Sequence, residues 1–172
     1  MPDPASFWYE ELWNQYKPTD LRVLMIGESP PDPRAADRRF FYAPTLTRYD
    51  NLYRGVAQAL YGLEPTFDVR HKSVVLRRLQ HNGVWLIDAV THPVNTRTKA
   101  ERREAIRLSS PEVVDQCQEL APSVGVLICH TLVFDVLTEK LRKARVAVLH
   151  GRPFRSHWAT IAPGSWTVPV PP

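Results

Sequence analysis

Four short apolar runs punctuate the chain, and each stops abruptly at polar residues or glycine: Leu21 to Ile26, Val84 to Val90 (broken by Asp88), Val124 to Ile128 and Val146 to Leu149. Runs this short, without the polar alternation of a half-exposed strand, fit strands covered on both faces. That burial pattern belongs to parallel sheets flanked by helices. Between the runs the apolar period changes to that of helices. Phe7, Trp8, Leu12, Trp13 and Tyr16 form an amphipathic stripe that Lys17-Pro18 ends. Asp50 is placed to cap a helix from Asn51 to Tyr61, with Leu52, Val56 and Leu60 on one face and Gly62 as its stop. A further helix fits Lys72 to His81, closed by Asn82-Gly83.

The basic stretch from Asn95 to Arg107 starts as loop and turns helical, and Ser109-Ser110-Pro111-Glu112 reads as a new helix start leading into Val113 to Leu120. Thr131 is placed to cap a helix with Val133, Leu137 and Leu141 on its buried face. Trp158 to Ile161 forms a last short strand before a proline-rich tail at 163–172. The alternation predicts an α/β fold: a three-layer α/β/α sandwich around a central, mostly parallel sheet of four or five strands. The 172 residues make one domain, with its first helix at about 5–17.

Composition narrows the partners. A hydrophobic fraction of 44% and a charged fraction of 23% suit a chain with a real core. No apolar run approaches the roughly 20 residues that cross a bilayer. The N-terminus lacks the basic-then-apolar pattern of a secretory signal, so a cytoplasmic location and no membrane partner are expected. Cys117 and Cys129 lie in a helix and a strand and form no Cys-x-x-Cys pair, which favours two buried thiols over a disulfide, zinc site or iron–sulfur cluster. The net charge of +4 permits a polyanionic partner without demanding one. No metal, no diffusible cofactor and a monomeric chain are expected.

In parallel sheets, ligands sit beyond the carboxyl ends of the strands. Gly27-Glu28-Ser29, Asp88, His130 and His150 all fall there. Glu28, in a loop stiffened by Pro30-Pro31, is placed to orient water. Asp88 interrupts an apolar strand: it either reads a ligand or pairs with an arginine as a clamp. Phe40-Phe41-Tyr42 offers a stacking platform or an ordinary core cluster. His130, His150 and His157 are candidates to steady a developing anion. Arg97, Lys99, Arg102, Arg103 and Arg107 fit phosphate contacts or a solvated helix face.

In this order the pieces resemble the uracil-DNA glycosylase superfamily, from about Leu21 to Ser165. Ile26-Gly27-Glu28-Ser29-Pro30 is similar to its first motif, and Phe40-Phe41 stands where a ring stacks on the base. Asn51-Leu52-Tyr53-Arg54 resembles the Asn-Ile-Tyr-Lys helix opening of the classical enzymes. Gly83 to Val90 resembles the strand that ends in the base-reading Asn. Ser29 stands where the classical Asp or a mismatch-type Asn is found, Glu28 matches the Glu of the iron–sulfur branch, and Asp88 replaces the reading Asn. The closing His motif aligns with His150-Gly151-Arg152-Pro153 or with Ala162-Pro163-Gly164-Ser165.

The resemblance implies a DNA glycosylase that flips a uracil or other damaged base out of DNA and hydrolyses its N-glycosidic bond. Glu28, Ser29 and His150 would then be catalytic, and Gly27, Phe40, Phe41, Asp88 and Asn51 would hold the base. Arg97, Lys99, Arg152 and Arg155 would contact DNA phosphates. An ionised Asp88 would accept from an amine and would not donate to a carbonyl. The alternative is a non-catalytic nucleic-acid or nucleotide-binding module on the same fold.

Overall fold

A computed structural model of the chain describes residues 7–32, 40–48 and 50–152. Eight elements follow one another: α1 (Phe7–Gln15), β1 (Val23–Gly27), α2 (Asn51–Tyr61), α3 (Lys72–His81), β2 (Val84–Asp88), α4 (Lys99–Leu120), β3 (Gly125–Ile128) and α5 (Thr131–Lys143). The three strands form an open parallel sheet in the order β2-β1-β3. The fold is therefore α/β with a small parallel sheet. The fourth expected strand contributes a single parallel bridge, Val126 to Val148. The fifth, the tail, His157 and the Ala162 to Ser165 motif lie outside the described residues.

The short apolar runs became strands because every residue of β1 is buried, so polarity on either face would be penalised. Helices present matching faces. Tyr53, Val56, Ala57 and Tyr61 of α2, Val75, Leu76 and Leu79 of α3, and Leu132, Val133, Leu137 and Leu141 of α5 all enter the core. Full burial of one such aliphatic side chain contributes about 1.5–3 kcal/mol.

The expected break at Ser109 is absent: α4 runs through Pro111 as one 22-residue helix. Proline has no N–H to give the Arg107 carbonyl one turn earlier. The Ser110 hydroxyl donates to that carbonyl instead, at 2.6 Å. Ser109 Oγ reaches Ala105 O and also ties the helix to Ala89 O, at 2.7 Å. The true start is Thr98, whose hydroxyl accepts from Glu101 N–H while the Glu101 carboxylate accepts from Thr98 N–H. Likewise His130, not Thr131, occupies the cap position of α5, its Nδ1 accepting from Leu132 N–H at 3.2 Å. Asp50 occupies the cap position of α2 without a side-chain cap bond, because its carboxylate is engaged elsewhere.

Tyr42 closes the outer side of β2. Its hydroxyl donates to Leu86 O at 3.1 Å and accepts from Leu86 N–H at 2.6 Å, the two bonds a neighbouring strand would make. Among the described residues, no helix is long and apolar enough to cross a membrane.

Candidate active site

Parallel register delivers three strand ends to one edge. Gly27 pairs with Asp88, and Ile26 pairs with Ile128, so Glu28, Asp88 and Cys129-His130 emerge side by side. The loops continue the pairing: Ala89 N–H donates to Gly27 O, Val90 N–H to Glu28 O and Cys129 N–H to Ile26 O. Val94 N–H reaches Ser29 Oγ at 3.4 Å and ties the loop after β1 to the loop after β2. Gly27 has a steric duty here, since a Cβ at this position would overlap Asp88 Oδ1.

Five of the residues picked from the sequence line one cavity of about 210 Å³: Ser29, Phe40, Phe41, Asn51 and Asp88. Pro31, Asp50, Leu52, Tyr53 and Leu86 complete its wall. The aromatic trio forms a buried core cluster, and two of its rings also face the cavity. Phe40 and Phe41 are 1% and 6% exposed yet border the cavity. Phe41 meets Tyr42 and Tyr53 edge to face, with centroids 5.0 and 6.2 Å apart. Phe40 meets Trp13 and Tyr42 the same way. Such packing holds the rings rigid, which a stacking surface requires.

Beneath that wall lies a pair that periodicity does not reveal. Lys72 Nζ donates to Asp50 Oδ2 and to Phe40 O, both at 3.1 Å, and both side chains are almost fully buried. Asp50 Oδ2 also accepts from Thr47 N–H. Burial draws the Lys72 pKa down, and the Asp50 charge opposes that. A lysine at the first residue of a helix opposes the helix dipole, and this was the one hint in the sequence.

Glu28 stands at the margin. Arg102, from the first turn of α4, grips it with Nε to Oε1 at 2.9 Å and Nη2 to Oε2 at 2.6 Å. His130 lies against the same pair, with Nδ1 3.9 Å from Glu28 Oε1 and Nε2 3.4 Å from Arg102 Nη2. Leu132 N–H donates to Nδ1, and the Arg102 guanidinium, a donor only, faces Nε2, so a neutral ring meets one of these donors with its lone pair and carries its proton on the other nitrogen. Burial lowers the His130 pKa; Glu28 opposes that shift and Arg102 adds to it.

Asp88 is the opposite case. No side chain among the described residues donates to it, and the charge that acts on it is the Glu28 carboxylate. Burial first, and Glu28 second, push its pKa up to about 7. It also borders a second cavity of about 210 Å³, with Trp13, Trp85 and Glu10 among its walls.

His150, the histidine given the leaving-group role by the resemblance, lies against backbone. His150 Nε2 accepts from Ile128 N–H at 2.9 Å, and Nδ1 donates to Arg152 O at 2.8 Å. With both nitrogens on backbone and the ring tilted against Phe134, His150 ties the last described segment to β3. His130 is the histidine beside Glu28.

The basic stretch divides. Arg102, Arg103 and Arg107 turn to Glu28, Asp135 and Glu104. Arg97, Lys99 and Arg152 are exposed, and Arg155 lies outside the described residues. Both thiols are buried and free, with pKa values raised to about 12 by burial. Among the described residues, no group of three His, Cys, Asp or Glu is arranged to hold a metal ion. Comparison with family models, with curated proteins and with solved structures finds no match.

Proposed function

We propose that the chain is a DNA glycosylase of the uracil-DNA glycosylase type, hydrolysing the bond between a flipped base and its deoxyribose. The single observation behind this reading is the shared cavity: Ser29, Phe40, Phe41, Asn51 and Asp88, far apart in the chain, wall one space beside Glu28. The finer architecture belongs to the same proposal. A three-layer sandwich with four or five strands would extend the parallel sheet past the bridge at Val148.

In such a reaction the sugar becomes cationic while the base departs as an anion. The bidentate arginine uses two of the roughly four lone-pair sites on the Glu28 carboxylate. The others remain for a water, which Glu28 orients while its charge stabilises the sugar cation. His130, beside Glu28, is the imidazole placed to steady the departing base. Arg97, Lys99 and Arg152 would contact phosphates on the surrounding surface. The expected setting is base-excision repair.

Duplex oligonucleotides carrying uracil, hypoxanthine or xanthine, treated with alkali after incubation, test this reading. The expected result is strand cleavage at one or more lesions, reduced by about 100-fold or more in Glu28→Gln. No cleavage of any substrate at micromolar protein would overturn the catalytic reading.

One observation favours the non-catalytic alternative: Glu28 is already bound on both oxygens by Arg102. A binding module predicts salt-dependent DNA affinity that survives Glu28→Gln, without base release.

A further inference from the structure

Asn and a protonated Asp present the same pattern to a ligand, one donor and one acceptor, whereas an ionised Asp presents two acceptors. The sequence alone therefore makes Asp88 an obstacle to any base that shows a carbonyl. Its surroundings remove that obstacle. The carboxyl opens into a cavity walled by Phe40, Phe41 and Tyr53, and Oδ1 rests against Gly27.

The groups that face Asp88 are the Glu28 carboxylate from the loop after β1, Tyr42 beyond β2 and the Cys129 thiol after β3. Glu10 of α1 stands across the second cavity. Arg102, the cation that pairs with Glu28, is committed to that carboxylate. Among the described residues, the groups facing Asp88 are thus neutral or negative, and none of them supports a charged carboxylate there.

We propose that Asp88 reads the base as a neutral carboxylic acid, its O–H donating to a lactam carbonyl and its C=O accepting from the adjacent N–H. Ionisation then closes the cavity to that class of base. The acid accepts an amine-bearing edge equally well by carrying its proton on the other oxygen, so pH controls the admission of the carbonyl. The inference rests on the base-binding part of the reading above and is independent of bond cleavage.

Burial and Glu28 place the titration near neutrality, at about 7, so wild-type affinity for free uracil should fall about tenfold between pH 6 and pH 8. Two measurements on the full chain test this. Carboxyl-labelled aspartate NMR follows the Asp88 resonance, identified by its absence in Asp88→Asn. Saturation-transfer NMR with free uracil reads binding at pH 6 and pH 8.

The expected results are a midpoint near neutrality, stronger uracil binding at the lower pH, and equal binding at both in Asp88→Asn. A midpoint in the ordinary aspartate range overturns the proposal. So does a pH dependence that persists in Asp88→Asn, or uracil binding at neither pH. If the variant does not fold, the wild-type uracil binding at pH 6 and pH 8 still tests the proposal, and equal binding at the two pH values overturns it. pH-dependent uracil binding without any cleavage of DNA would remove the glycosylase reading and leave this inference in place.

Discussion

Asp50 and Asp88 line the same cavity from different elements, and their surroundings could hardly differ more. Asp50 is enclosed with Lys72, accepts from Thr47 N–H and shares its lysine with the Phe40 carbonyl. Asp88 has no cation among the described residues, faces a second carboxylate and opens into two cavities. A carboxyl whose lone pairs are taken by its own chain serves as scaffold. One left without a donor is free to meet a ligand. The cavity thus has a fixed wall, where Lys72 anchors the aromatic loop to α3, and a responsive wall at the end of β2.

The contrast breaks most visibly at Lys72. Lys72→Met leaves Asp50 buried and unpaired and should destabilise the fold by about 3–5 kcal/mol, measured by urea unfolding. A loss too small to measure would mean that the wall is not fixed by this pair.

Asp88→Asn should have the opposite sign. The folded chain holds the Asp88 proton more tightly than the unfolded chain does, so stability falls as pH rises from the ordinary aspartate range to about 7. Removing the ionisable group should raise stability by about 2–4 kcal/mol at pH 8, and by little at pH 4. Equal denaturation midpoints for variant and wild type at pH 8 would count against an unpaired Asp88.

A smaller effect is expected at Gly27. Gly27→Ala drives a methyl into Asp88 Oδ1 and should cost about 1–3 kcal/mol, read as a lowered Tm. The smallest is electrostatic. Arg102→Met strips Glu28 of its counter-ion, so the Asp88 titration midpoint should move upward in the same NMR experiment, and a downward move would contradict the described geometry.

What could be read from the sequence follows the range of the forces involved. α2 and α3 begin and end where periodicity places them, because apolar spacing and end signals are local. Three of the expected strands match within a few residues for the same reason, and the fourth is reduced to one bridge at Val148. α4 does not, because its passage through Pro111 depends on a hydroxyl that replaces the missing donor, while the Thr98 and Glu101 pair that starts it was visible in the sequence.

The edge residues of the site were legible since parallel strands must end together. Their partners were not: Glu28 and Arg102 are 74 residues apart, and Asp50 and Lys72 are 22 apart. The sequence is compatible with Asp88 reading a ligand or pairing with an arginine as a clamp. An arginine clamp exists, yet it holds Glu28, and no cation among the described residues pairs with Asp88. His150 carried a strand-end signal as good as that of His130, and only the backbone bonds on both of its nitrogens separate the two.

The shared register of the three strands has a consequence for how such a chain changes over time. Each strand fixes the height at which its last side chain projects, and that height is set by backbone bonds indifferent to the side chain's identity. The edge therefore behaves like a row of sockets at constant spacing. An exchange at position 28, 88 or 130 alters the chemistry offered while leaving the distances between sockets intact, so single substitutions can turn one reactivity into another without rebuilding the frame.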